Sequence, residues 1–209
     1  MPIKAKEKKE RALGTKLFLK AYRSHSPKSA MVRRPNRPGV HGAKRTRAAS
    51  EFKLQLMEKQ KMRITYGVNE AQMKSMVRRA LSKGKSGGKS VSDYLVQMFE
   101  SRLDNVIHRM GFAPSRIMAR QFVSHGHIKV NGRKVNVPSY TVKPNDIISI
   151  KEASKNMLLF KDLPNTLKGN TTPEWVVVDD KELKGTMRAW PIGVEMPFNI
   201  NLIIDFYSR

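Results

Sequence analysis

With 209 residues the chain is long enough for one or two domains with cores of their own. Its 41 lysines and arginines stand against 17 acidic residues, a formal net charge of +24 that a compact protein tolerates best beside a polyanion, nucleic acid first and anionic membrane second. The lack of cysteine excludes a disulfide framework, a thiol nucleophile and a cysteine-type zinc site.

The charge is graded. Residues 1–50 hold 15 basic and 2 acidic side chains, residues 51–90 hold 10 and 3, residues 91–152 hold 9 and 5, and residues 153–209 hold 7 and 7. A solvated surface without a partner has little reason for such a gradient, which points to nucleic-acid binding by the first three-quarters of the chain. No run of 18 apolar residues exists to cross a membrane. The opening MPIKAKEKKERALGTKLFLKAY lacks the unbroken apolar stretch of a signal peptide, and Glu7 and Glu10 count against a transit peptide.

Residues 1–50 are basic and punctuated by turns, most densely in RRPNRPGVHG (Arg33–Gly42), where prolines and glycines exclude regular structure. Alone, the segment is expected to be disordered, either a loose tail or an arm that orders against phosphates. From Ser50 the pattern becomes helical, EFKLQLMEKQKMRITYG (Glu51–Gly67) carrying Lys59, Lys61 and Arg63 before Gly67 ends the run. Asn69 is the expected N-cap of a second helix, whose face repeats at Met73, Met76, Val77, Ala80 and Leu81. SKGKSGGKS (Ser82–Ser90) reads as a linker; its glycines lack the spacing of a phosphate-binding P-loop.

A helix is expected from about Val91 to Met110, with Leu95, Met98, Phe99, Leu103, Val106 and Ile107 on its apolar face and Gly111 as its stop. PSRIMARQFVSHG forms the next, with Arg116 and Arg120 one turn apart. HGHIKVNGRKVN (His125–Asn136) then reads as a hairpin, since Asn131-Gly132 suits a type I′ turn. Its register would pair Val130 with Arg133, Lys129 with Lys134 and Ile128 with Val135. Facing lysines destabilise a ladder. A turn around Pro144 leads to a strand over Asp146–Glu152, KDLPNTLKGNTTPEW reads as loop, and WVVVDD (Trp175–Asp180) as a short strand. NINLIIDFYS alternates Ile200, Leu202, Ile204 and Phe206 on one side, a strand-like period. The fold class is therefore α+β: a basic N-terminal arm, a helical part and a compact module of helices plus a small antiparallel sheet.

Catalytic chemistry finds little support. His25, His41, His108, His125 and His127 are too scattered for a triad, and His125-Gly-His127 reads as a hydrogen-bonding or phosphate-contacting pair before it reads as a metal site. Asp104, in SRLDNVIHRMG, lies in the Arg-Leu-Asp pattern of RNA pseudouridine synthases, but it precedes the module instead of lying in a large domain after it. A structural Asp104, pairing with Arg102 or a local backbone donor, is the better reading. By contrast Arg116, Arg120, Lys129, Arg133 and Lys134 could form one positive ridge suited to helical RNA, which is recognised by shape and phosphate position. Phe112, Phe122 and Tyr140 are too few to make base stacking primary.

The motifs RLDN, RMGF, ARQFVSHGHI, VNG, SY and KPND before an I-x-I strand resemble the RNA-binding module of bacterial-type ribosomal protein S4, the uS4 family. LFLK (Leu17–Lys20), PGVHG (Pro38–Gly42), EKQKMRITYG (Glu58–Gly67), KGT (Lys184–Thr186) and the terminal FYSR extend the resemblance over nearly the whole chain. It implies a structural, non-enzymatic protein that binds 16S-type rRNA, nucleates assembly of the body of the small subunit beside proteins S5 and S12, and contributes to translational accuracy. Members of the family can line the path by which mRNA enters, and some repress their own mRNA. The less favoured alternative is an RNA-modifying enzyme of pseudouridine-synthase type.

The same resemblance implies a basic arm over 1–50 and a helical domain over 51–100, completed by the tail at about 185–209. An S4 RNA-binding domain follows over 101–162, with an additional loop and strand region over 163–184. It implies rRNA-facing residues at Arg45, Arg47, Lys53, Lys59, Lys61, Arg63, Arg116, Arg120, His125, Lys129, Asn131, Arg133 and Lys134. No cofactor, no metal and no membrane partner is expected, and the location implied is the cytoplasmic or organellar ribosome. Some relatives carry an N-terminal cysteine cluster that binds zinc. This chain has none, so its arm is expected to fold without metal, on RNA.

Overall fold

The structure, a computed structural model, describes residues 7–44, 48–86, 88–167, 169 and 171–208. In chain order the elements are α1 (Glu7–Leu13), α2 (Ala21–His25), α3 (Ala30–Arg33), α4 (Glu51–Thr65), α5 (Glu70–Ser86), α6 (Val91–Glu100), α7 (Leu103–Arg109) and α8 (Arg116–Ser124). There follow β1 (Ile128–Val130), β2 (Arg133–Lys134), β3 (Ile147–Ile150), α9 (Glu152–Lys155), α10 (Leu158–Lys161), α11 (Leu163–Leu167), β4 (Val176–Asp179), β5 (Lys184–Met187) and α12 (Ile200–Ser208). The expected α+β class is the observed one. Two compact units result, Met1–Leu95 with Val194–Arg209, and Val96–Gly193.

In the first unit the basic stretch carries three short helices, where composition pointed to disorder in the absence of RNA. Its two acids explain the difference. Glu10 is buried, and its Oε1 accepts the N–H groups of Leu17 (2.9 Å) and Leu19 (3.2 Å), folding the LFLK segment back over α1. Glu7 Oε2 accepts the Ala30 N–H at 3.1 Å. A buried carboxylate that accepts backbone N–H groups is a strong local tie. Leu17 and Leu19 pack with Ile64 and Leu13 in a small core.

α4 starts at Ser50, whose hydroxyl accepts the Lys53 N–H, and ends before Gly67, at φ +63°. α5 opens with a reciprocal capping box: Asn69 Oδ1 accepts the Gln72 N–H at 2.8 Å, and Gln72 Oε1 accepts the Asn69 N–H at 3.1 Å. Met73, Met76, Val77 and Ala80 are buried as their spacing requires. α5 continues through residues 82–86, which the glycines had suggested were linker; a Cβ on Gly84 would collide with Val91, so glycine serves close packing there.

α12 is a helix against α4, not the strand that alternation suggested. Asn199 decides it: its Oδ1 accepts the Asn201 N–H at 3.0 Å and caps the first turn, while Ile203, outside the alternating set, is the fully buried residue. An apolar run this short fits both periods, and the cap breaks the tie.

The second unit is a five-stranded antiparallel sheet in the order β2-β1-β3-β5-β4, with one face covered by α7 and α8. Ile128, Val130, Ile148, Ile150, Val176 and Met187 point into a core shared with Leu103, Val106, Ile107, Met110, Phe122 and Val123. Each such aliphatic burial contributes about 1.5–3 kcal/mol. The hairpin has the expected register, Lys129 opposite Lys134 and Val130 opposite Arg133, with Asn131 at φ +48° and Gly132 at φ +77°. Gly185 lies so close to α7 that a Cβ there would sit 2.7 Å from Met110 Sδ.

Two expectations are corrected here. The single helix over 91–110 is broken at Ser101-Arg102, because that backbone turns to pair with the SYTV segment. Leu103 N–H donates to the Tyr140 carbonyl and Val142 N–H to the Ser101 carbonyl, both at 2.8 Å. Likewise residues 161–167 are not loop but the end of α10 and α11, since Phe160, Leu163 and Leu167 are buried together, overriding the turn-forming Pro164 and Asn165.

Candidate nucleic-acid interface

The buried acids of the second unit are neutralised from within. Glu100 is fully buried; Arg109 donates to both of its oxygens at 2.9 Å, and Asn105 Nδ2 donates at 2.7 Å. Arg116 Nε donates to Asn105 Oδ1 at 2.7 Å, and its Nη2 lies 4.0 Å from Glu100. Asp104 receives a two-point clamp from Arg102 at 3.1 and 2.8 Å, with Arg120 Nη1 3.8 Å away. The RLDN motif is thus a structural frame, as the Arg102 pairing anticipated. Arg116 and Arg120 are grouped by it with Glu100 of α6 and Asp104 of α7, their side chains still partly exposed at 20% and 29%.

His108 belongs to the same frame. Its Nδ1 lies 3.1 Å from the Ala113 carbonyl, so the bond requires the proton on Nδ1. Burial, reinforced by the charges of Arg116 and Arg109, pushes the imidazole down to about 4, and it is neutral at pH 7.

The solvent face of the sheet is different. Paired residues share a face, and the registers run one row across all five strands: Lys134, Lys129, Ser149, Lys184 and Asp179. Lys129 and Lys134 find different neighbours. The stem of Lys134 lies over Gly126, whereas Lys129 and Lys184 act on Glu152, whose carboxyl is held low by the hydrogen bond from Lys155. His125 is exposed; the half-buried His127 stands on the same face as Lys129, with Nδ1 2.9 Å from Ser154 Oγ. Lys151 pairs beside it, donating its N–H to the His127 carbonyl at 2.8 Å.

Asn131 is exposed, but its side chain works within the fold. Nδ2 donates to Asp146 Oδ1 at 2.8 Å and Oδ1 accepts the Ile147 N–H at 2.9 Å, fastening the hairpin turn to β3. Arg133 is exposed beside it.

In the first unit, Lys53 is half-exposed on the first turn of α4. Lys59 is buried, donates to Glu70 at 2.9 Å and lies 4.3 Å above the Phe206 ring. Lys61 donates to Glu58 at 2.6 Å, and Arg63 Nη1 lies 3.6 Å from Glu70. Arg45 and Arg47 lie outside the described residues.

Sequence reasoning missed Lys151 and Lys184, which join the cationic face only through the β1–β3–β5 register; His127 it had read with His125 as a phosphate-contacting pair. It also passed over Lys74, Arg78, Arg79 and Lys83, exposed on α5. Their signal was present, since Lys74, Arg78 and Arg79 fill positions between the buried Met73, Met76, Val77 and Ala80, and Lys83 follows one turn on.

A module with Glu100 and Asp104 locked inside and lysines along the outer row of its sheet is that of an RNA-binding protein of S4-domain type. A family model described as the S4 domain matches residues 101–148, and one described as the ribosomal protein S4/S9 N-terminal domain matches residues 3–100. The chain is 45% identical over 198 residues to the small ribosomal subunit protein uS4 of Thermus thermophilus, covering 94% of this chain and 93% of that one. It is 44% identical over 198 residues to the protein of that name from Kosmotoga olearia, and 45% over 199 residues to the one from Thiobacillus denitrificans, with the same coverage. The chain belongs to the uS4 family of small ribosomal subunit proteins.

Proposed function

We propose that this chain is a structural constituent of the small ribosomal subunit that binds 16S-type rRNA directly. On this reading it nucleates assembly of the subunit body, beside proteins S5 and S12 in the cytoplasmic ribosome, and contributes to translational accuracy. The observation that carries the reading is the solvent row of the sheet, with Lys134, Lys129 and Lys184 on one surface while Glu100 and Asp104 are neutralised inside. Lys134 and Lys129 are thereby offered to phosphate, while Lys184 is engaged by Glu182. In the second unit Arg116, Arg120, His125 and Arg133 are added to these contacts, with Asn131 acting through the fold; Arg45, Arg47 and Lys53 are proposed as separate rRNA contacts of the first unit, whose Lys59, Lys61 and Arg63 are engaged by its own acids.

The reading is non-enzymatic. Asp104, the residue an RNA-modifying reaction would need, is buried and held by two nitrogens of Arg102, an arrangement suited to fastening α7 and not to attacking a base. A tritium-release assay on rRNA tests this: release that disappears in Asp104→Asn would restore the enzyme reading.

Competition binding tests the main proposal. A folded small-subunit rRNA transcript should stay bound under excess bulk tRNA, and affinity should fall steeply with salt, by about 10³- to 10⁵-fold between 50 and 200 mM for 6 to 10 phosphate contacts. Equal loss to rRNA and tRNA competitors would reduce the protein to a nonspecific polycation. Repression of its own mRNA, a further role the family suggests, would show as a leader transcript competing with the rRNA for the same surface.

A further inference from the structure

We propose that His125 and His127, with Lys134 and Lys151, form a proton-coupled seat for one RNA backbone phosphate where α8 meets β1. The inference rests on the rRNA-binding reading and adds to it a residue set and a linkage to protons.

The two imidazoles are held apart and fixed. Gly126 between them adopts φ +74°, and the ring centroids lie 6.0 Å apart, tilted by 53°. His127 is immobilised on three sides: Nδ1 against Ser154 Oγ at 2.9 Å, and the ring against Phe122 at 6.4 Å and Phe160 at 5.7 Å between centroids. Its Nε2 is therefore the polar atom available to a ligand. Lys134 lies over Gly126; a Cβ on that glycine would stand 2.9 Å from the lysine Nζ, so a side chain there would push the lysine end aside. Lys151 flanks His127 through the β1–β3 pairing.

The charge pattern makes this a site and not merely a surface. Around His127, α8 supplies Phe122 and its C-cap His125, the hairpin Lys134, α9 Ser154 and α10 Phe160, with Lys151 the residue after β3. The charges that shift it, those of His125, Lys151 and Lys134, are all positive. Burial first, then His125, Lys151 and Lys134, hold its imidazole below the ordinary histidine range. The nearby carboxylate, Glu152, is instead engaged by Lys155, Lys129 and Lys184. Two ammonium groups and two imidazoles without a carboxylate call for an anion, and a phosphodiester oxygen can accept from several N–H donors at once. Once seated, the phosphate offsets the lysine field and favours the imidazolium. The complex then binds more protons than the free protein, and affinity rises as pH falls.

The experiment uses the full chain and a small-subunit rRNA transcript at fixed salt, with Kd measured from pH 8 to pH 5.5. One captured proton predicts binding about tenfold tighter at pH 6 than at pH 8. Calorimetry at pH 6.5 in two buffers of different ionisation enthalpy should show net proton uptake on the order of half to one proton. His125→Gln with His127→Gln should flatten the pH dependence and remove the uptake. Because uptake is read on the unaltered chain, the outcome does not depend on how the variant folds. Specific rRNA binding with no uptake and no pH dependence overturns the proton-coupled seat and leaves the rRNA reading standing. Absence of any preference for rRNA over tRNA overturns both.

Discussion

Lys59 donates to Glu70 at 2.9 Å inside the first unit, joining α4 to the start of α5. The pair also captures the C-terminal helix: Tyr207 donates to the same Glu70 oxygen at 2.7 Å, and Lys59 Nζ stands 4.3 Å above the Phe206 ring. The FYS of the terminal motif is thus part of the hydrophobic and ionic closure of the helical unit. Removing Glu70 leaves a buried ammonium without its counter-charge. Since the Glu70 side chain is itself 45% exposed, the expected loss is on the moderate side, about 1–3 kcal/mol for Glu70→Ala in urea unfolding. Tyr207→Phe should cost about 1 kcal/mol.

The pH dependence of this closure has a definite sign. Burial alone would raise Glu70, but the hydrogen bonds from Tyr207 and Lys59 and the charges of Lys59 and Arg63 outweigh it and hold the carboxyl below its usual 4.5. A folded-state value below the unfolded one contributes stability above pH 4.5, and that stability is lost as pH falls through the lower folded value.

Glu100 should be the most sensitive position of the second unit. Arg109, Asn105 and Arg116 all converge on it, and it is fully buried. Glu100→Gln keeps the shape and removes the charge, leaving Arg109 and Arg116 to repel across the frame. Loss of one partner of a buried pair costs about 3–5 kcal/mol. Thermal unfolding monitored by circular dichroism checks this, and a loss below 1 kcal/mol would mean that the arginines find solvent instead.

His108 predicts acid lability of the same frame. Between pH 6.5 and about 4 the unfolded chain binds a proton there that the folded chain refuses, so stability rises with pH across that window. The contribution lost at the acid end is on the order of 3 kcal/mol. Urea midpoints from pH 7 to pH 4 should fall in the native chain and fall less in His108→Gln, whose amide can keep the bond to the Ala113 carbonyl without titrating.

Which parts of this arrangement were readable from the chain follows from how local their causes are. The hairpin register was readable because Asn131-Gly132 supplies both left-handed residues, and α5 because its cap and its methionine stripe lie within one helix. The break at Arg102 was not, since the carbonyls that capture Leu103 and Asp104 come from Tyr140 and Pro138, more than thirty residues on. α12 was misread because its cap competes with an alternation of equal length. Of the candidate site, the hairpin cations were legible by type and turn. The burial of Lys59, and the presence of Lys151 on the cationic face, depend on packing and register that one-dimensional spacing does not encode.

The hairpin separates fold from recognition, because its two kinds of polar residue do different work. Asn131 holds φ +48° and ties Asp146 and Ile147 to the turn. Asn131→Ala should therefore cost about 1–3 kcal/mol in unfolding, with rRNA affinity at low urea falling only in proportion to the unfolded fraction. Lys129→Ala with Lys134→Ala should behave in the opposite way. Relieving a like-charge pair opposite each other in the ladder changes stability by a few tenths of a kcal/mol in the favourable direction. The same double change removes two phosphate partners, so the slope of log affinity against log salt should become shallower by about 1.4–1.8. Filter binding at four salt concentrations reads that slope, and an unchanged value would exclude both lysines from the RNA surface.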